Sequence, residues 1–147
     1  MFDSVEDILE HARSFHRNLG TAFDRLEHNT GSEKLRLMLD YLAKHESSLA
    51  RSLKEFQKGA SETRLHQYFV HGPPAELMRE LSEIDVAAQD SVEDIQEKLL
   101  KLDNALIEIY SQLAEKARTP EIADIFQALH ETATRERNNF VRGVQDL

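Results

Sequence analysis

The side chains able to do chemistry in this 147-residue chain are seven His and 27 Asp or Glu, with 18 Lys or Arg and no Cys. Imidazole and carboxylate groups together can form acid–base pairs or hold divalent cations through nitrogen and oxygen. Without Cys, thiolate zinc sites, disulfides and cysteine nucleophiles are excluded. No His-x-x-x-His or His-x-x-x-Glu pair occurs, which counts against a hemerythrin-like or zinc-hydrolase site. Gly-x-Ser-x-Gly and a phosphate-cradling Gly loop are also missing, and with them the common hydrolase and nucleotide-enzyme signatures. His11, His28, His45 and His130 lie beside apolar stripes and read as solvated helix residues. His66 and His71 fall in a connecting segment, where packing or surface roles are expected. His16 differs, because it sits at the edge of a stripe.

Composition narrows the classes of partner. A net charge of −9 opposes phosphate-backbone binding, which rests on Lys and Arg displacing counterions, so no nucleic acid is expected. No apolar run approaches the roughly 20 residues that span a bilayer, so no membrane insertion is expected. The acidic start Asp3-Ser4-Val5-Glu6-Asp7 lacks the basic and apolar regions of a signal peptide, and a cytoplasmic location is expected. Hydrophobic residues at 40% and only five Gly and three Pro suit one all-α domain of long helices.

Those helices are legible as stripes. Val5, Ile8, Ala12, Phe15, Leu19, Ala22 and Leu26 alternate steps of three and four, placing them on one helix face, with Ser4 as N-cap. Asn29-Thr30-Gly31 ends this helix, and Ser32 caps a second carrying Leu35, Met38, Leu39, Leu42, Leu49, Leu53 and Phe56. A third stripe runs Val92, Ile95, Leu99, Leu102, Leu106, Ile109 and Leu113. Thr119-Pro120-Glu121 starts the fourth, with Ile122, Ile125, Phe126, Leu129, Ala133 and Phe140. The short turns make two antiparallel hairpins, about 4–59 and 91–146. Between them, a crossover over 60–90 carries Tyr68-Phe69-Val70 and His71-Gly72-Pro73-Pro74, with a short helix expected from about Pro74 that could continue into the third.

The hairpins repeat one another. A shift of 87 residues lays Ser4-Val5-Glu6-Asp7-Ile8 on Ser91-Val92-Glu93-Asp94-Ile95. The same gapless shift lays Leu19 on Leu106, Phe23 on Tyr110, Ser32 on Thr119, Leu42 on Leu129 and Leu53 on Phe140. This shared register reads as a duplication.

Two like hairpins joined by a long crossover resemble the ferritin-like superfamily, and most closely its rubrerythrin-like members. The stretches that carry the resemblance are Leu42-Ala43-Lys44-His45-Glu46-Ser47-Ser48-Leu49 and Leu106-Ile107-Glu108-Ile109-Tyr110-Ser111-Gln112-Leu113, followed by Thr119-Pro120-Glu121. The resemblance implies an antiparallel four-helix bundle spanning 1–147. It also implies a di-iron centre built from a carboxylate on each of two helices and Glu-x-x-His on the other two. Carried over by position, that ligand set is incomplete. His16 stands where Glu is expected, Asp103 is an acceptable carboxylate, Glu46 has Leu49 in place of its His, and Ala133 and Glu136 replace the last Glu and His. Di-iron oxygen chemistry is therefore not expected.

His16, Glu46, Asp103 and Glu136 remain as a tentative metal set, all on or beside their stripes. Burying three carboxylates beside one imidazole is costly unless they are paired, protonated or bound to a cation. One reading is a single Fe, Mn or Zn ion held by this mixed set. The other is a metal-free hydrogen-bonded layer, the chain then acting by binding a protein partner or itself. The resemblance implies a homodimer under either. A third reading follows from His16-Arg17-Asn18-Leu19-Gly20, which is similar to the phosphorylated segment of histidine phosphotransfer domains but has Leu19 where a basic residue is usual. Phosphoryl transfer there needs an exposed His16.

Overall fold

The structure is a computed structural model and describes residues 4–59, 75–83, 86–87 and 89–145. The expectations for His66, His71, Tyr68-Phe69-Val70 and the Gly72-Pro73-Pro74 run lie outside these residues. Among the described residues five helices form: α1 Val5–Asn29, α2 Glu33–Gly59, α3 Ala75–Glu83, α4 Val92–Lys116 and α5 Pro120–Gln145. The described chain is all-α, and its four long helices make two hairpins, α1–α2 and α4–α5. Two compact units result, one built on α1 and α2, the other on α3, α4 and α5.

The helices begin where side chains can satisfy their first N–H groups. Ser4, in extended backbone, accepts from the Asp7 N–H at 3.0 Å, with Glu6 and Asp7 in the first turn where the helix dipole favours acids. Ser32 Oγ accepts from Leu35 N at 3.3 Å, and Thr119 Oγ1 accepts from Ile122 N at 3.3 Å. Pro120 is the first residue of α5, where its missing N–H leaves no helical bond unmade. The α1 and α4 bounds differ by 87 residues at both ends, and α2 and α5 start 87 apart. The repeat therefore extends from stripes to caps and helix ends.

One expectation about the crossover is corrected. The short helix does not run on into α4, because α3 ends at Glu83 and a turn follows. In that turn Asp90 N donates to the Ala87 carbonyl at 3.0 Å, and the Asp90 carboxylate accepts from Ala87 N at 2.9 Å. A side chain that takes a backbone N–H in this way competes with helix continuation.

The buried faces follow the stripes with one rotation. On α4 and α5 the apolar residues are buried nearly as expected, from Ile95 to Leu113 and from Ile122 to Phe140, while Val92 and Ala133 are half-buried. On α1 the buried face runs Val5, Ile8, Leu9, Ala12, His16, Leu19, Gly20 and Phe23, leaving Phe15, Ala22 and Leu26 half-buried. The seam of α1 is thus turned toward His16 and Gly20. Gly20 faces α2 there: a Cβ would lie 3.4 Å from Glu46 Cβ and 3.5 Å from the Ala43 carbonyl oxygen, ordinary contact distances.

Candidate functional site

Among the described residues of the first hairpin, His16 and Glu46 are the buried imidazole and carboxylate, and they meet. His16 lies on the inward face of α1, one turn before Gly20, and Glu46 lies on α2 against Gly20 itself. Their side chains are 5% and 1% exposed, and His16 Nδ1 is 2.5 Å from Glu46 Oε2. The two atoms are hydrogen-bonded, the imidazole N–H donating to the carboxylate oxygen. Phe15 presents its ring edge to the imidazole, with centroids 6.0 Å apart.

The pair compensates itself electrostatically. An isolated buried carboxylate would cost several kcal/mol of lost hydration. Among the described residues, no buried side-chain N or O atom lacks a hydrogen-bond partner.

Asp103 on α4 and Glu136 on α5, the other two residues of the tentative metal set, are both half-buried in the second unit. Under the repeat, Asp103 and Ala133 occupy the positions of His16 and Glu46, so the second hairpin has no imidazole–carboxylate pair at that level.

Two of the other histidines depart from the solvated reading. His45 is half-buried and stacks on Tyr41, with ring centroids 6.2 Å apart. His130 is half-buried, and its Nδ1–H donates across the second hairpin to the Ile107 carbonyl at 3.2 Å. His11 and His28 are exposed as expected. The His28 Nδ1–H donates to the Asp24 carbonyl at 2.7 Å; this bond, then the Asp24 and Glu27 charges, raises the His28 pKa above the ordinary histidine value.

Asp24, Glu27 and His28 bring three ligand-type atoms within 4.8 Å of one another, a grouping not singled out in the sequence. Their i, i+3, i+4 spacing could have shown it. The trio lies on the last turns of α1, with Asp24 and His28 exposed, and reads as a solvated charged face.

The burial of His16 runs against phosphotransfer, since a 4% exposed imidazole facing a carboxylate is not presented to a phosphoryl donor. Among the described residues no helix is long and apolar enough to cross a membrane. The chain has no significant match among protein-family models, curated proteins or solved structures.

Proposed function

We propose that the chain is a ferritin-like bundle in which the His16–Glu46 pair is the retained heart of an altered metal pocket, taking one divalent ion of the Fe, Mn or Zn type. The observation that supports this reading is the pair itself, an imidazole and a carboxylate on adjacent helices, withdrawn from water and 2.5 Å apart. Its donor chemistry fits such an ion, because imidazole with carboxylate oxygen suits borderline and hard first-row cations. Asp103 and Glu136, which the sequence grouped with them, lie in the other unit and are not part of this reading. A bound divalent ion would supply positive charge to offset the carboxylates and Lewis acidity toward a small polar ligand.

The test is thermal unfolding of chelator-stripped protein with and without Fe(II), Mn(II) or Zn(II). A ligand at about 100 times its Kd stabilises the folded state by about 2.7 kcal/mol, a rise of several degrees in Tm. The reading expects that rise in the wild type and its loss in His16→Ala. An unchanged Tm with every ion would overturn it.

A metal-free interaction or self-assembly module is the second reading. It is favoured by the self-satisfied state of the pair, which needs no cation to balance it. Under this reading the pair sets the register of α1 on α2, and the chain works through its helix faces, as a homodimer or with a protein partner.

A further inference from the structure

We propose that a groove along α5 binds a small hydroxylated anion, a sugar carrying a phosphate or a carboxylate, with Arg135 and Arg142 taking the charged group. The proposal stands apart from the metal reading, since the groove shares no residue with the His16–Glu46 pair. Its volume is about 410 Å³, within the range of small-ligand sites. The lining runs from Gln127 to Arg142 with successive side chains about one helical turn apart, and none of them is apolar. A lining made only of hydrogen-bonding groups offers nothing to an apolar ligand and selects a hydrophilic one.

The charge of the groove is opposite to that of the chain. Two guanidiniums, Arg135 and Arg142, stand there with one carboxylate, Glu131, in a protein of net charge −9. Glu131 lies one turn before Arg135, yet it accepts from Gln127 Nε2 at 3.5 Å. Each guanidinium donates instead to a neutral oxygen, Arg135 to Thr132 Oγ1 at 3.4 Å and Arg142 to Asn139 Oδ1 at 2.5 Å. Neither makes an ion pair among the described residues, so each keeps N–H donors and uncompensated charge, in a fork that matches carboxylate and phosphate oxygens. The other lining groups suit hydroxyls. His130 Nδ1 is committed to the Ile107 carbonyl, which leaves Nε2, and the Thr134 hydroxyl donates to the His130 carbonyl at 2.8 Å, which leaves its oxygen as an acceptor. Asn138 adds an amide that both donates and accepts. The repeat sets this face of α5 apart. Under the shift of 87, Arg135 falls on Ser48 and Arg142 on Glu55, while Glu131 falls on Lys44, which is paired with Asp40 at 3.0 Å. At these positions α2 has no counterpart of the two arginines.

The test is a titration of 15N-labelled protein with glucose 6-phosphate, glucuronate, inorganic phosphate and glucose at fixed ionic strength, followed by amide shifts. The expected result is saturable shifts centred on 127–142 with glucose 6-phosphate or glucuronate, at lower concentration than with phosphate or glucose. The tighter of the two sugars identifies the anionic group as phosphate or carboxylate. Arg135→Ala and Arg142→Ala, at wild-type helicity, are each expected to weaken binding about tenfold or more, the loss of a charge-assisted hydrogen bond. Arg118→Ala, which removes an exposed cation outside the groove, is expected to leave binding unchanged. Failure of both sugars to saturate, or an equal loss in Arg118→Ala, overturns the proposal. Inorganic phosphate that binds as tightly as either sugar also overturns it, because the hydroxyl contacts then contribute nothing.

Discussion

At the scale of single residues, the molecule places its largest electrostatic risk at His16 and Glu46. Removing one partner from a buried pair leaves the other desolvated without compensation, which typically costs 3–5 kcal/mol. Glu46→Ala is therefore expected to destabilise the chain by about 3–5 kcal/mol in urea unfolding. The double change His16→Leu/Glu46→Met is expected to cost less than either single change, because no orphaned charge remains. A double mutant no more stable than the singles would show that the pair contributes more than mutual compensation.

Tyr110 is a simpler case. Burial pushes its phenol well above the ordinary tyrosine value. The folded state therefore keeps a proton that the unfolded chain releases near pH 10, and stability from this group falls as pH rises past that value. Replacing Tyr110 by Phe should flatten the alkaline loss of stability. His28 has the same sense in a lower pH window: its raised pKa favours folding below the usual histidine value near 6.5, and the increment is lost as pH rises through the folded value. An NMR titration of His28 should have its midpoint above 6.5 and fall toward it in Asp24→Asn.

At the scale of elements, the turn residues and one glycine decide how the helices start and how closely they approach. Ser32→Ala and Thr119→Ala each remove a side-chain acceptor from a helix N-terminus, and each is expected to cost about 1 kcal/mol in chemical denaturation. Gly20→Ala should be tolerated and even stabilise by about 0.5–1 kcal/mol, since its Cβ would meet Glu46 and Ala43 only at ordinary contact distance and Ala favours the helix. Gly20→Leu should cost about 1–3 kcal/mol, as its outer atoms must displace the Glu46 stem.

The caps and stripes explain what was legible from residues alone. Ser4, Ser32, Thr119 and Pro120 mark helix starts by local chemistry, so the starts of α1, α2 and α5 follow from the chain itself. His16 and Glu46 could be placed on inward faces by spacing, but their hydrogen bond could not, because it is a tertiary distance between α1 and α2. Phe15 and Leu26 are only half-buried although they lie on the apolar stripe. The engagement of His130 was hidden for a similar reason, since the Ile107 carbonyl is a neighbour across the hairpin, whereas Tyr41 and His45 stand i, i+4 on one helix and their spacing could have shown the contact.

At the scale of the whole molecule, two helical hairpins share one register. α1 and α4 are each 25 residues long and bounded 87 residues apart, and in the first hairpin a buried imidazole, His16, pairs with a buried carboxylate, Glu46. α4 buries Leu102, Ala105, Ile109 and Leu113, whose counterparts Phe15, Asn18, Ala22 and Leu26 are half-buried or exposed. The copies have diverged in the face they bury as well as in their polar residues. An overall charge of −9 suits attraction of a cation better than that of a polyanion.

The most direct test is elemental analysis of protein purified natively without chelator, paired with an optical spectrum in air. The account predicts close to one Fe, Mn or Zn per chain in the wild type and none in His16→Ala of equal helicity. Wild-type protein that is folded and free of all three metals would contradict it.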